Sequence, residues 1–324
     1  MPGLDASDIA SEYGSYYINQ GQNLQRIATQ LKLKTKTPMI ATPVITSDTI
    51  WRGATGKMSS VIQAFQKNFT AKGDATFEAQ KIPLFNIKVD WEDYPDEIVE
   101  NWMGFLASIS DNERANWPII RYILEAYLIP QIQHDLESQC YYFGDHAAPT
   151  PGTAGITSAA MDGLRKQLTA GLSSGINDLS AIGTVNATNI FDKVEEITDK
   201  LTEVFRGVPL VLAMSTKNVV RYQRDRRNTH GTDTVHDPNK LTPDFYDSVK
   251  IVGLPSMDGT SDMFLTTQMN LKYIRRLGSE KPFKVESQKR LVSVMNDWWE
   301  GMGFHFNELV WYYRDPSSSS SSSL

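Results

Sequence analysis

The sequence predicts an α+β protein built around one long helix, and three observations carry that prediction. Residues 117–143 hold an apolar stripe at steps of three and four. Residues 38–89 are rich in β-branched side chains and alternate in polarity toward their end. From residue 248 onward, short apolar and alternating runs are separated by Gly- and Pro-containing turns. The first pattern is a helix lying on a core, and the other two are strands.

Composition narrows the function classes. The chain has 324 residues, enough for one large domain or two ordinary ones, and 40% of them are hydrophobic, enough for a real core. Mean hydropathy is −0.35 and no apolar run approaches the length a membrane helix needs. The start, MPGLDASDIASEYG, lacks the basic and apolar blocks of a signal peptide, so a soluble, non-secreted chain is expected. A formal net charge of −6 argues against a surface wholly given to gripping nucleic acid, while a local basic patch stays open. Cys140 is the single cysteine, which excludes an intramolecular disulfide; its place on the helical stripe predicts a buried, inert thiol.

In order along the chain, residues 1–33 carry scattered apolar residues interrupted by Gly3, Gly14 and Gly21, the pattern of an arm that gains order on another surface. Residues 32–89 read as strand material with a long excursion inside it. This excursion, WRGATGKMSSVIQAFQKNFTAKGDATFEAQ, carries three glycines and Lys57, Lys67 and Lys72. KIPLFNIKVDW then alternates as a strand. An insertion of that length between strands is normally functional or lies on another surface. An inter-subunit contact is therefore expected through Trp51, Arg52, Lys57, Phe65, Lys67 and Lys72, with Asp93 and Glu97 of the acidic run DWEDYPDEIVE as ionic counterparts. That run also reads as a helix start, with Asp93 as cap and Pro95 in the first turn; a carboxylate pair for acid–base work or a hard-metal site is its other reading.

The stripe over 117–143 runs through Ile119, Ile123, Ala126, Ile129, Ile132, Leu136, Cys140 and Phe143. It keeps phase across Pro130, which predicts one long helix bent at the proline rather than two helices. GDHAAPTPGTAG at 144–155 is a Gly/Pro loop and the clearest internal boundary. GLSSG at 171–175 matches G-x-S-x-G with Ser173 as nucleophile, but KQLTA before it lacks the buried strand a nucleophile elbow needs. Residues 189–206 read as an amphipathic helix ended by Gly207, and VPLVLAM at 208–214 as a central strand. Ser215 caps a following helix whose Arg221, Arg224, Arg226 and Arg227 form a basic cluster able to meet phosphate, or a solvated or inter-subunit face. His230, Asp233, His236 and Asp237 cluster in the next loop, without a recognised metal-ligand spacing. SVKIVGLPSM, DMFLTTQMNLKYI, FKVESQKRLVSVM and ELVWYY are strand candidates broken by DGT, GSEKP and EGMG turns, and a serine tail at 317–324 is expected to be disordered.

The order of these segments resembles the major capsid protein family of tailed bacteriophages, the Hong Kong 97-type capsid fold shared with encapsulins. The stretches that carry the resemblance are LIPQIQHDLESQCYYFGD followed by PTPGTAGI, then VPLVLAMSTKNVVRY, VKIVGLPSMDGTSDMFLTTQMNLKYI and RLVSVMNDWWEGMGFHFNELVWY. They cover most of residues 40–315 as element order rather than as an invariant signature. The resemblance implies an N-terminal arm at 1–37 and an extended loop with supporting strands at 38–89. It implies a peripheral domain at 90–143 and 281–316, with 117–143 as spine helix, and an axial domain at 144–280. The implied role is structural and not enzymatic, with no cofactor and no metal. Copies form homo-oligomeric hexamers and pentamers that close an icosahedral-type shell around packaged double-stranded DNA, contacted non-specifically. Scaffolding, portal and decoration proteins are implied partners, no membrane is, and the implied location is the virion after synthesis in the host cytoplasm. An encapsulin-type shell around cargo protein is the alternative within the fold; a serine hydrolase using Ser173 is the alternative outside it.

Overall fold

The computed structural model describes residues 35–108, 110, 114, 116–230, 240–244, 246–279, 283–288 and 291–316. The expected arm at 1–33, the loop holding Asp233, His236 and Asp237, and the serine tail lie outside the described residues, as does the side chain of His230.

Early strands are β1 (Thr42–Thr46), β2 (Ile50–Met58), β3 (Ala75–Pro83) and β4 (Phe85–Asp93). The insert carries β5 (Asn177–Asp178), β6 (Leu210–Ser215), β7 (Val249–Leu254) and β8 (Met263–Thr266). Last come β9 (Leu271–Arg276), β10 (Lys284–Gln288), β11 (Leu291–Phe304) and β12 (Val310–Tyr313). One sheet has the order β1-β9-β11-β10, with β4 also paired to β11; a second has β5-β12-β8-β6-β7; β2 and β3 form a hairpin in neither. The expected central strand at 208–214 is β6, interior to the second sheet and buried on nearly every residue.

The expected long helix is continuous from 119 to 140, in four abutting segments: Ile119–Arg121, Tyr122–Leu128, Ile129–Asp135 and Leu136–Cys140. Backbone angles at the joints, Arg121, Leu128, Asp135 and Leu136, are all right-handed helical. Pro130 sits at the seam between a wide π-type segment and an ordinary one, where Ile129 N–H reaches back five residues to Leu124 O. A proline lacks the amide for a regular i−4 bond and crowds the turn before it. The wider turn accommodates both effects and keeps the rod intact. It also shifts the phase of the stripe: Ile119, Ile123, Ile129, Ile132, Leu136 and Cys140 are buried as expected, but Leu124 is buried and Ala126 is exposed.

Burial of Cys140 raises its thiol to about 12, and its Sγ donates to Thr157 O at 3.3 Å, the inert environment expected. The Pro95–Ser108 helix packs on the start of the spine through Phe105, whose ring lies 5.0 Å from Trp117 and 4.8 Å from Tyr122. Near the end of the spine, Glu137 accepts hydrogen bonds from Lys36 N–H, Thr37 N–H and Thr37 Oγ1. Just beyond it, Tyr142 donates to the fully buried Asp262 at 2.7 Å, and Tyr312 and the amide of Asp315 donate to the same carboxylate. That node ties the spine to the second sheet.

Three sequence expectations are corrected. KIPLFNIKVDW, expected as one strand, divides at the buried Leu84 into the end of β3 and the start of β4. The long half-polar strand expected over 283–295 is instead the antiparallel pair β10–β11, with Lys284 opposite Met295 and Gln288 opposite Leu291. EGMG, expected as a turn, lies inside β11. Its glycines serve close approach: a Cβ on Gly301 would collide with Pro83 O, and one on Gly303 with Gln167 and Ile82. In addition, the helix expected over 189–206 breaks after Asp199, and a short helix Glu203–Arg206 follows.

Sheet membership crosses the sequence segments. DMFLTTQMNLKYI yields β8 in the second sheet and β9 in the first, and the chain returns from β11 to β12 across the same divide. The buried Asn270 fastens both crossings through its side chain and its carbonyl.

Candidate assembly surface

The β2–β3 hairpin is the feature that a single subunit does not use up. Its nine pairs run in register from Ile50 opposite Pro83 to Met58 opposite Ala75. Its base is seated: Ile82 and Leu84 are buried with Ile274, and Val44, Trp51 and Trp299 pack around them. Leu84 N–H donates to Thr49 O at 2.8 Å. Trp51 lies edge-on to His305, 5.1 Å between ring centres, and Gly53 passes so close that any Cβ would strike both rings. Burial there holds the His305 imidazole below its ordinary pKa, which favours the neutral ring in this apolar wedge.

Beyond the base, residues 59–74 form a loop closed at its neck by Ser59 N–H to Asp74 O at 3.0 Å and Asp74 N–H to Ser59 Oγ at 2.7 Å. Gln63 Nε2 reaches Thr70 O, Lys72 Nζ reaches Ile62 O, and Gly73 takes a positive φ of 99°. Every residue of this loop is exposed. Phe65 is 94% exposed, Phe69 96%, Ile62 84% and Phe77 81%, with Met58 and Val61 beside them. A large apolar side chain gains roughly 1.5–3 kcal/mol when fully buried. Six such groups leave on the order of 10 kcal/mol unrealised in the isolated chain. A two-stranded hairpin is marginal by itself, so this tip has the character of a contact surface.

The expected contact residues divide into two places. Phe65, Lys67 and Lys72 are together on the tip, Arg52 is exposed along the hairpin, and Trp51 belongs to its seated base. Lys57 is on β2, but its side chain, like that of Glu97, lies outside the described residues. Asp93 ends β4, opposite Val292, and accepts the amide of Tyr94 at 2.8 Å; the helix opens at Pro95, so Tyr94 holds the cap position and Asp93, expected as the cap, lies one residue before it. At about 3.3 Å per residue, β4 carries Asp93 roughly 25 Å from the hairpin base. The sequence reading missed Met58, Val61, Ile62, Phe69 and Phe77. Their signal was available: apolar residues without any period inside a Gly-, Lys- and Ser-rich run.

Other candidate sites dissolve or change character. Ser173 follows a helix, Leu164–Gly171, and its Oγ donates to Ala170 O at 2.8 Å, so the strand–turn–helix setting of a nucleophile elbow is absent at this residue. Among the described residues, no three His, Cys, Asp or Glu side chains are grouped to hold a metal ion, and no helix is long and apolar enough to cross a membrane. Ser215 caps the Thr216–His230 helix through its Oγ and the amide of Asn218 at 3.3 Å. Within the basic cluster, Arg226 is buried and paired with Asp244 at 2.6 Å, whereas Arg224 and Arg227 are exposed.

No protein-family model and no curated protein matches the sequence. Solved structures do match the fold. A chain of the satellite phage P4 procapsid including size determination (Sid) protein aligns over 90% of this chain and 90% of its own, at 12% identity and TM-score 0.58. This chain has the phage capsid fold. The capsid of the native GTA particle aligns over 86% of this chain and 94% of its own, at 12% identity and TM-score 0.52. The capsid of Myoviridae phage XM1 aligns over 84% and 89%, at 13% identity and TM-score 0.51. The α+β capsid fold expected from the sequence is therefore present over about nine-tenths of the chain, and the exposed hairpin is part of it.

Proposed function

We propose that this protein is the major capsid protein of a tailed bacteriophage, assembling as hexamers and pentamers into an icosahedral-type shell around packaged double-stranded DNA. The observation that carries this reading is the exposed apolar hairpin tip on a chain whose fold matches phage capsids over about nine-tenths of both chains. Heterologous contacts of this kind, one copy's projection on the next copy's body, close into rings and shells when the rotation permits.

In this reading residues 1–37 form an arm, 38–89 the extended loop, 90–143 with 281–316 a peripheral domain and 144–280 an axial domain. Asp93 and Glu97 of one copy meet Lys57, Lys67 or Lys72 of another. Such surface pairs contribute little energy but set register. Scaffolding, portal and decoration proteins are partners on the same reading, and the product is a virion component.

Electron microscopy of the purified full-length protein tests the proposal: closed particles are expected, and a discrete monomer under assembly conditions would overturn it. Deleting residues 52–73 should leave a folded subunit that makes no closed shells; normal shells from that deletion would refute the role of the hairpin. Genome-length DNA inside particles distinguishes a virion from a shell around cargo protein.

A further inference from the structure

The Thr216–His230 helix carries a second surface, of different chemistry. With 100° per residue, Lys217, Val220, Arg221, Arg224, Arg227 and Asn228 share one outward arc of the helix. Lys217, Arg224 and Arg227 are exposed and Arg221 is half-exposed. No carboxylate lies on that arc. The helix's one acidic residue, Asp225, is buried and accepts the amide of Phe191 at 2.9 Å, and Arg226 is turned inward to Asp244. Arg221 donates to Asn218 Oδ1, and among the described residues none of the four outward cations has an ion-pair partner. The adjacent helix Ile190–Asp199 does carry carboxylates, but Glu196 is bridged by Lys193 and Lys200, and Asp199 accepts the hydroxyl of Tyr246. Asp192 of that helix is exposed and Glu195 half-buried, and the four positive charges line up over about 15 Å in a chain whose net charge is −6.

We infer that this stripe is a contact site for the phosphate backbone of double-stranded DNA, formed by Lys217, Arg221, Arg224 and Arg227. A duplex presents one phosphate charge per about 1.7 Å of axis, so a straight row of about 15 Å can neutralise several phosphates without bending the nucleic acid. The arc holds no aromatic side chain, since Tyr222 is fully buried. Single-strand binders need stacking platforms, and base readers need donor–acceptor pairs aimed into a groove. A row of cations alone gives binding that ignores sequence and falls steeply with salt. The assignment deepens the shell reading, because it turns this helix toward the lumen.

The test has two arms. First, unassembled full-length subunits are titrated against a fluorescent blunt duplex over a range of KCl. With four phosphate contacts, log Kobs should fall against log[KCl] with a slope of about −3.5, roughly a hundredfold in affinity between 50 and 200 mM. Arg224→Gln should reduce that slope by about 0.9, the fourfold replacement by Gln should nearly abolish it, and Lys250→Gln on β7 should leave it unchanged. A fourfold variant that binds as tightly and as salt-dependently as the parent would overturn the assignment. So would a variant that loses self-association while its DNA binding is intact, since the stripe would then face a second copy's carboxylates. Second, Arg224→Cys gives one reactive thiol, Cys140 being buried. In closed particles it should resist a bulky polyethylene-glycol maleimide that labels it in free subunits. Equal labelling in both would place the stripe outside and sink this inference alone, whereas the absence of particles would sink the shell reading.

Discussion

Asn270 and Phe306 are joined by two hydrogen bonds across the line where the chain passes between its two sheets. Phe306 N–H donates to Asn270 Oδ1 at 2.7 Å, and Asn270 Nδ2 donates to Phe306 O at 2.9 Å. The same amide reaches Thr266 Oγ1 at 3.0 Å, and the Asn270 carbonyl accepts the amide of His305. One side chain therefore satisfies backbone groups that leave one sheet and have not yet entered the other. Asn270→Ala removes three of these bonds and strands buried partners. Urea unfolding of the unassembled subunit should show a loss of about 2–4 kcal/mol. Asn270→Asp keeps one acceptor but sets a buried carboxylate oxygen against Phe306 O, so near neutral pH it should cost at least as much as Asn270→Ala.

Glycine substitutions separate close approach from mere flexibility. Gly301→Ala places a methyl group into Pro83 O at the hairpin base and should cost about 3 kcal/mol or more, read as a lowered melting temperature. Gly104 lies in the Pro95–Ser108 helix with nothing near the position of a Cβ. Gly104→Ala should therefore raise stability by about 0.5–1 kcal/mol through helix propensity alone.

The hairpin tip should matter to the assembly and hardly at all to the subunit. Phe65→Ser combined with Phe69→Ser removes two rings that are more than nine-tenths exposed. Thermal unfolding of the free subunit should stay within about 0.5 kcal/mol of the parent. Gradient sedimentation should nevertheless show particles lost or greatly reduced.

Stability against pH should report Glu300. This carboxyl is fully buried on β11, accepting the hydroxyl of Tyr273 at 2.7 Å, and desolvation raises its pKa above the ordinary carboxylate value. The folded chain then holds this proton more tightly than the unfolded chain does. Its stabilising contribution is complete below the unfolded pKa and is lost as pH rises through the folded one. Glu137, raised by burial as well, acts in the same direction. Glu300→Gln should be more stable than the parent near neutral pH and converge with it in acid. A melting-temperature difference independent of pH would contradict this account.

Local chemistry determined much of this protein. The apolar period over 117–143 specified the spine, Ser215 specified a helix start, a continuous apolar run specified β6, and β-branched or alternating runs specified most other strands, because each signal acts within a few residues. The long Gly- and Lys-bearing excursion marked the hairpin, and the order of elements was enough to name the fold. Tertiary structure alone decided what each ambiguity became. Gly301 and Gly303 read as a turn until Pro83, Gln167 and Ile82 are seen pressed against them. Pro130 read as a bend in one long helix, and only the folded chain shows the wide turn before it that carries the helix through. The splits at Leu84, at Asn270 and between β10 and β11 depend on which distant strand each segment pairs with, and no local window contains that partner. The tip's apolar residues gave no period because none of the described residues covers them, and exposure is a property of the folded surface.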